Sequence, residues 1–230
     1  FEECAAKDPE KKFEKYLILE EVLTYSYVES IRREMKLMID AEWQVAADAP
    51  MKLPVLEEEL DDVYAPVPVM PFEESGSAAN EVKSKRFIDA VTEGLRQSME
   101  KHDNLVLMGQ DIAEYGGAFK ITEGFVERFG RERVRNTPLC ESAIIGSALG
   151  LSLEGFKSMV EMQFADFVSV GFNQIVNNLA KIHYGWGQNA DVVIRMPTGA
   201  GVGAGPFHSQ SNEAWFVHTP GLKVVYPSTP

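Results

Sequence analysis

Apolar side chains recur at helical spacing near the start of the chain. They lie three or four residues apart, at Ile31, Met35, Met38 and Ile39. This period predicts an amphipathic helix over residues 25–47. Ser26, with Glu29 three residues later, has the pattern of a capping box at the start of that helix. Residues 1–50 are therefore predicted to form a helical arm.

Residues 51–80 carry prolines and acidic side chains in place of a periodic apolar pattern. The prolines are Pro54, Pro66, Pro68 and Pro71. Acidic residues dominate 57–62, and residues 73–77 are polar. Proline disfavours regular structure and like charges repel one another, so the composition favours an extended connector.

Helical and strand patterns alternate from Val82 onward. A helical stripe over 87–99 precedes the fully apolar run 105–108, which is typical of a buried parallel strand. Further strands are predicted at Val134, 157–162, 191–196 and 222–226. Helices are predicted at 122–129, 142–153, 166–183 and 212–218. Strands separated by helices predict an α/β fold, with a parallel sheet covered by helices on both faces.

The alternating pattern assigns residues 81–230 to one domain, after the helical arm and the connector. The chain stops at Pro230, directly after a predicted strand, and no closing element follows. We therefore expect this domain to be truncated at its C-terminus.

Composition is that of a globular protein with one packed core, since 45% of the 230 residues are hydrophobic and 25% are charged. No apolar run reaches the roughly 18 residues of a membrane span, and Phe1 opens into charged sequence without an apolar leader. We expect a cytoplasmic or organelle-matrix protein.

Cys4 and Cys140 are too few and too far apart for a disulfide framework or a zinc site, so both are predicted to be free thiols.

The net charge of −13 is concentrated at the front of the chain. Residues 1–80 hold 19 acidic and 8 basic side chains, whereas residues 81–230 hold 16 and 14. An acidic surface repels nucleic-acid phosphates and anionic lipid. Neither nucleic acid nor a membrane is therefore expected as a partner.

Two candidate residues follow predicted strands, where parallel α/β sheets usually bind ligands. Glu141 opens an uncharged helical segment. The helix dipole favours an acid there, but a desolvated carboxylate with raised proton affinity fits equally well.

His208 follows the glycine-rich stretch 199–205, and on a loop it could exchange protons near neutrality, although a structural histidine is the simpler interpretation. The glycine-rich stretch lacks the spacing of a phosphate or dinucleotide loop, which favours a flexible transition.

A third cluster follows the strand predicted at 157–162. Gln163, Phe164 and Phe167 offer an amide beside an aromatic face, although such phenylalanines are more often core. The histidines show no metal-ligand spacing at positions 102, 183, 208 and 218. The residues alone therefore predict no metal site.

Six motifs occur in order over the predicted α/β domain. They are GQDIAEYGGAF (109–119), NTPLCE (136–141), EMQFADF (161–167), NQIVN (173–177), HSQS (208–211) and PGLKVV (220–225). Together they resemble the β subunit of the decarboxylating component of 2-oxo acid dehydrogenase complexes, with 136–141 and 163–167 closer to the branched-chain (2-oxoisovalerate) versions than to the pyruvate versions. Residues 16–24, 31–33 and 41–43 resemble the C-terminal tail of the α subunit, which implies a fused α-β polypeptide.

The resemblance implies a thiamine-diphosphate-binding domain of the pyrimidine type. Glu141 matches the glutamate that hydrogen-bonds a pyrimidine nitrogen and promotes loss of the thiazolium proton. Gln163 and Phe167 match residues packed around the pyrimidine, and Leu139 matches a residue that gives local backbone or apolar contact. His208 matches a histidine on the substrate side that handles protons during decarboxylation or acyl transfer.

Metal sites are implied only by the resemblance. Ala190, Val192 and Val193 fall where some members bind a structural potassium ion through backbone carbonyls, although the preceding loop 185–189 is short and further ligands would lie beyond Pro230. Magnesium and the diphosphate are expected on the α-like domain, which this chain lacks. The chain alone is therefore expected to be inactive.

The implied reaction is oxidative decarboxylation of a 2-oxo acid, followed by acyl transfer to a lipoyl acyltransferase. Its expected partners are that acyltransferase core and an α-like domain of the same polypeptide or of a second protomer, in a homo-oligomer. Two alternatives remain. One is another thiamine-diphosphate enzyme, transketolase-like or acetoin-cleaving, which needs no lipoyl acceptor. The other is a non-catalytic assembly module, for which the acidic front would matter more than Glu141.

Overall fold

The computed structural model describes residues 7–66, 84–227 and 229. The chain divides into two compact units, Phe1–Pro54 and Val55–Pro230. Among the described residues, no helix is both long enough and apolar enough to cross a membrane. Cys140 is a free thiol, as predicted, whereas Cys4 lies outside the described residues.

In its described residues, 7–54, the first unit contains two helices, α1 (Pro9–Leu19) and α2 (Tyr25–Asp48). The helix predicted over 25–47 is confirmed by α2, but its predicted capping box is wrong. Thr24 is the N-cap, because its backbone is extended and its Oγ1 accepts a hydrogen bond from the Tyr27 N–H at 3.2 Å. Ser26 already lies inside the helix.

Removing this cap should destabilise the first unit. Thr24→Ala is expected to lower its free energy of unfolding by about 1 kcal/mol, because the N–H of Tyr27 loses its side-chain acceptor. Thermal unfolding followed by far-ultraviolet circular dichroism measures this change. Thr24→Ser keeps the hydroxyl and should match the wild type, whereas equal stability of all three proteins would show that the cap contributes nothing.

The second unit is an α/β domain around a four-stranded parallel sheet of order β2-β1-β3-β4. Its strands are β1 (Leu105–Gly109), β2 (Val134–Asn136), β3 (Lys157–Glu161) and β4 (Val192–Arg195). Its α-helices are α3 (Leu56–Asp62), α4 (Phe87–Lys101), α5 (Phe125–Phe129), α6 (Glu141–Leu153), α7 (Ile182–Trp186) and α8 (Ala214–Val217). The predicted fold class is confirmed.

Both faces of the sheet are covered. Along β1, Val106 and Met108 belong to one apolar cluster and Leu105 and Leu107 to another, because successive side chains of a strand point to opposite faces. The first cluster contains residues of α6, and the second contains Met99 of α4 and Phe125 of α5. Every residue of β1 is buried, as expected of a central parallel strand.

The long helix predicted over 166–183 is wrong. The chain instead forms a 3₁₀ helix (Ala165–Gly171), a π-helix (Gln174–Leu179) and α7. The first break lies where Gly171 packs against α6, since a Cβ at this glycine would lie 2.4 Å from Ile145 Cδ1. The buried positions 165, 168 and 171 are three residues apart, which is the repeat of a 3₁₀ helix.

Two other predicted elements differ from the structure. The helix predicted at 122–129 starts only at Phe125, because Gly124 has a left-handed backbone with φ of 77°. The strand predicted at 222–226 is irregular: it pairs with no strand among the described residues. A strand needs a neighbour for its backbone N–H and C=O groups, so an apolar pattern alone does not produce one.

The connector predicted over 51–80 contains a helix. Residues of α3 are helical rather than extended, and residues 67–83 lie outside the described part of the chain. Glu59 of α3 accepts a hydrogen bond from the hydroxyl of Tyr184 in α7. This bond and the negative charge of Glu59 raise the pKa of the Tyr184 phenol. The three-segment division of the chain stays a prediction.

Candidate active site

Glu141 lies at the carboxyl edge of the sheet, as the first residue of α6. Its side chain is 8% exposed although it is an acid. Gln110, the residue after β1, is also buried, and its Nε2 donates to Glu141 Oε1 at 3.4 Å, near the outer limit of a hydrogen bond. The helix N-terminus favours the negative charge of Glu141. The structure therefore combines burial with an electrostatic reason for an acid at this position.

His208 lies against an aromatic cluster at the same edge. Its ring contacts Phe164 and Phe167 edge to face, with centroid distances of 5.0 and 5.4 Å. Phe119, from the loop after β1, packs against Phe164 at 5.7 Å. Edge-to-face contacts restrict how each ring can rotate. Segments that follow β1, β3 and β4 thus meet around one imidazole, and the predicted residues Phe167 and His208 are brought together.

A buried ion pair joins the carboxyl ends of β3 and β4. Glu161, the last residue of β3, pairs with Arg195, the last residue of β4, and the two are neighbours in the parallel register. Glu161 is 2% exposed. Its Oε1 and the Nε of Arg195 are buried, and neither has a hydrogen-bond partner among the described residues. Gly117 packs onto this carboxylate, since a Cβ there would lie 3.3 Å from Glu161 Oε1.

The other predicted cofactor residues, Gln163 and Leu139, lie close in sequence to the end of β3 and to the start of α6. Gln163 is half-buried just after β3. Leu139, two residues before Glu141, is 81% exposed. Their roles toward a cofactor stay predictions.

The predicted potassium residues lie at the start of β4. Ala190 and Val192 are half-buried and Val193 is exposed. The carbonyl of Asp191 accepts a hydrogen bond from Ser158 in β3, and that of Arg195 accepts one from Met162, the residue after β3. Because carbonyl directions alternate along a strand, Val193 also turns its carbonyl toward β3, and Val192 turns its carbonyl to the open edge. The potassium site at Ala190, Val192 and Val193 stays a prediction.

Sequence reasoning missed three functional candidates: Gln110, Arg195 and Asp166. Gln110 and Arg195 had a usable signal, because each is a polar residue at or just after the end of an apolar strand. Asp166 had a weaker signal, an acid in a segment with Phe164 and Phe167. Its burial became evident only in the structure. Their partners are 31 to 44 residues away in sequence, beyond the reach of a local pattern.

A parallel α/β sheet with a buried carboxylate and an aromatic cluster at its carboxyl edge defines an α/β ligand-binding domain. Residues 83–230 match the family described as "Transketolase, pyrimidine binding domain". This match covers more than half of the chain, and the chain belongs to that family.

Several curated proteins are similar to this chain. It is 45% identical over 148 residues to "2-oxoisovalerate dehydrogenase subunit beta" of Bacillus subtilis, which covers 63% of this chain and 45% of the relative. It is 42% identical over 151 residues to "Pyruvate dehydrogenase E1 component subunit beta" of Leifsonia xyli (65% and 45%). It is 41% identical over 166 residues to "3-methyl-2-oxobutanoate dehydrogenase subunit beta" of Mycobacterium tuberculosis (71% and 48%).

These relatives confirm the resemblance to dehydrogenase β subunits. Branched-chain and pyruvate enzymes both occur among them, at nearly equal identity. The chain spans about half the length of the curated relatives it matches. The α-subunit-like tail at the front stays a prediction.

Proposed function

We propose that the intact protein is the thiamine-diphosphate-dependent decarboxylating component of a 2-oxo acid dehydrogenase complex. The observation that carries this proposal is the buried carboxylate of Glu141 at the start of α6, inside a domain of the pyrimidine-binding family. When bound, thiamine diphosphate supplies a thiazolium carbon that becomes nucleophilic on losing its proton.

Glu141 would hydrogen-bond a pyrimidine nitrogen and share a proton with it. Burial suits this role, because water cannot compete for the carboxylate and a hydrogen bond is stronger in a low dielectric. Gln110 Nε2 donates a hydrogen bond to one oxygen of the carboxylate, and this contact restricts rotation of the carboxylate. The residues therefore fit a flat, nitrogen-containing ring.

The rim of the pyrimidine site is assigned to three further residues. The half-buried ring of Phe167 would pack against the flat heterocycle, and the amide of Gln163 lies in the same segment. Leu139 is exposed two residues before Glu141, where its side chain is available for an apolar contact.

His208 is assigned to the substrate side, where it would bind the 2-oxo acid and carry a proton during decarboxylation or acyl transfer. His208→Ala in the intact protein is expected to lower the rate of acyl transfer to a lipoyl domain by about 10²-fold, as for loss of a general acid-base group. Steady-state kinetics with added thiamine diphosphate and magnesium measure this rate. The exposed His218, at the end of α8, supplies the control His218→Ala, which should keep the wild-type rate. Equal rates for the two variants would contradict the role of His208.

For the substrate, we propose a branched-chain 2-oxo acid, with pyruvate second. Support comes from the motifs at 136–141 and 163–167 and from the branched-chain names among the relatives. Carbon dioxide release from 3-methyl-2-oxobutanoate and from pyruvate by the intact protein tests this choice. A higher kcat/KM for pyruvate would overturn the substrate class and leave the cofactor assignment intact.

Further groups and partners belong to the same proposal. The described residues contain no cluster of three or more His, Cys, Asp or Glu side chains able to hold a metal ion, so magnesium and the diphosphate are assigned to an α-like region. That region would come from the same fused polypeptide or from a second protomer of a homo-oligomer. A structural potassium ion is assigned to the start of β4, and a lipoyl acyltransferase is the proposed acyl acceptor.

A second candidate is a carbon-transfer enzyme of the transketolase type, because the matching family carries that name. It would share the role of Glu141 but would not need a lipoyl acceptor. Acyl transfer to a lipoyl domain, measured with the intact protein, separates the two candidates.

A further inference from the structure

The segment 164–167, which follows β3, contacts the loop of His208 through both side chains and backbone. Phe164 and Phe167 contact the imidazole from two sides. Ala165 and Asp166, which lie between these phenylalanines, bond to residues just after His208. The carbonyl of Ala165 accepts a hydrogen bond from Asn212 Nδ2 at 3.0 Å, and Oδ1 of Asp166 accepts one from the Gln210 N–H at 3.1 Å.

Asp166 differs from the other contacts because it is a charged group that is only 8% exposed. It lies in the first turn of the 3₁₀ helix Ala165–Gly171. A hydrogen bond from a backbone N–H to a carboxylate is about twice as strong as one between neutral groups. Of the two hydrogen bonds from 164–167 to this loop, it is the nearer to the imidazole in sequence, since Gln210 is two residues after His208 and Asn212 is four.

Thr198 completes the anchor from the other side. Its Oγ1 donates to the carbonyl of Gln210 at 2.9 Å, so both backbone groups of Gln210 are bonded to side chains from different strand ends. With its N–H and C=O both fixed, Gln210 cannot rotate freely. The position of His208 between the two phenylalanine rings then follows from this anchor.

We propose that Asp166 is a positioning residue for His208: through the N–H of Gln210, its carboxylate holds the imidazole between Phe164 and Phe167 in the reactive orientation. This inference rests on the proposed function of His208. Asp166 does not touch the reacting atoms in this account.

The test compares single and double variants of the intact protein, with thiamine diphosphate and magnesium, the 2-oxo acid that the wild type turns over fastest, and lipoamide as acceptor. Asp166→Ala is expected to lower kcat by about 10- to 100-fold with little change in KM, because misplacing a catalytic group by about 1 Å costs on that order. Asp166→Asn keeps an oxygen acceptor and should stay within about 3-fold of the wild type. Asp89→Ala, at an exposed acid of α4, is the control and should keep wild-type kinetics.

The double variant distinguishes positioning from a general structural role. If Asp166 acts through His208, Asp166→Ala should change kcat by less than about 2-fold when His208 is already alanine, because the effects of coupled residues are not additive. An equal loss in both backgrounds, or an Asn variant as slow as the Ala variant, would overturn the proposal. If Asp166→Ala does not fold, Thr198→Ala replaces it and must show the same dependence on His208.

Failure of this inference is distinguishable from failure of the proposed function. If the wild type releases no carbon dioxide from any 2-oxo acid, the proposed function is wrong. If the wild type is active and His208→Ala is slow, but Asp166→Ala is equally harmful with and without His208, only the positioning role is wrong.

Discussion

Glu141→Gln in the intact protein is expected to lower the rate of 2-oxo acid decarboxylation by about 10²- to 10⁴-fold, the range for loss of one acid-base group. Glutamine has nearly the same shape and can still hydrogen-bond Gln110, so the buried site should keep its packing. It cannot share a proton with a pyrimidine nitrogen. The loss should therefore appear in kcat, with a much smaller change in the affinity for thiamine diphosphate.

The same helix offers a matched control. Glu154 caps the C-terminal end of α6 and is exposed, so Glu154→Gln should keep wild-type turnover. Carbon dioxide release by the three proteins is the measurement. Undiminished turnover in Glu141→Gln would mean that Glu141 is not the activating acid.

Glu161→Ala is expected to lower the free energy of unfolding by about 3–5 kcal/mol, the usual cost of leaving one member of a buried ion pair without its partner. The side chain of Arg195 is only 20% exposed, so water can replace the lost carboxylate only in part. Removing Glu161 also leaves a gap beneath the loop at Gly117. Urea unfolding measures the change.

An exposed ion pair in the same domain is the control. Glu132 pairs with Arg135 at 2.9 Å, but its side chain is 92% exposed, so Glu132→Ala should cost less than about 1 kcal/mol. Replacing both Glu161 and Arg195 with methionine should recover most of the stability lost in Glu161→Ala, because no buried charge then remains unpaired. If Glu161→Ala and Glu132→Ala are equally stable, the buried pair does not hold the strand ends together.

Much of the fold could be predicted because the apolar periods reflect local geometry. The buried run 105–108 became β1, and the uncharged stretch after Glu141 became α6. The break in the helix predicted over 166–183 was not visible, because it depends on the close approach of Gly171 to Ile145, from another helix. The order of the strands was not predicted either, since local patterns carry no information on which strands become neighbours.

The site was predictable only in part for the same reason. Glu141 and His208 were candidates because each follows a predicted strand, and parallel strands end at one edge of a sheet. The contacts that surround them come from distant segments, such as Gln110 beside Glu141 and Asp166 beside Gln210. Those pairs become visible only once the register of the sheet is fixed.

Exchange of the thiazolium carbon proton of thiamine diphosphate for deuterium, measured on the intact protein before any substrate is added, tests the central claim most directly. It reports activation of the cofactor without depending on the identity of the 2-oxo acid or the acyl acceptor. The account predicts rapid exchange in the wild type and in Glu154→Gln, and exchange slower by at least about 10²-fold in Glu141→Gln. Equal exchange rates in wild type and Glu141→Gln, with thiamine diphosphate bound to both, would contradict it.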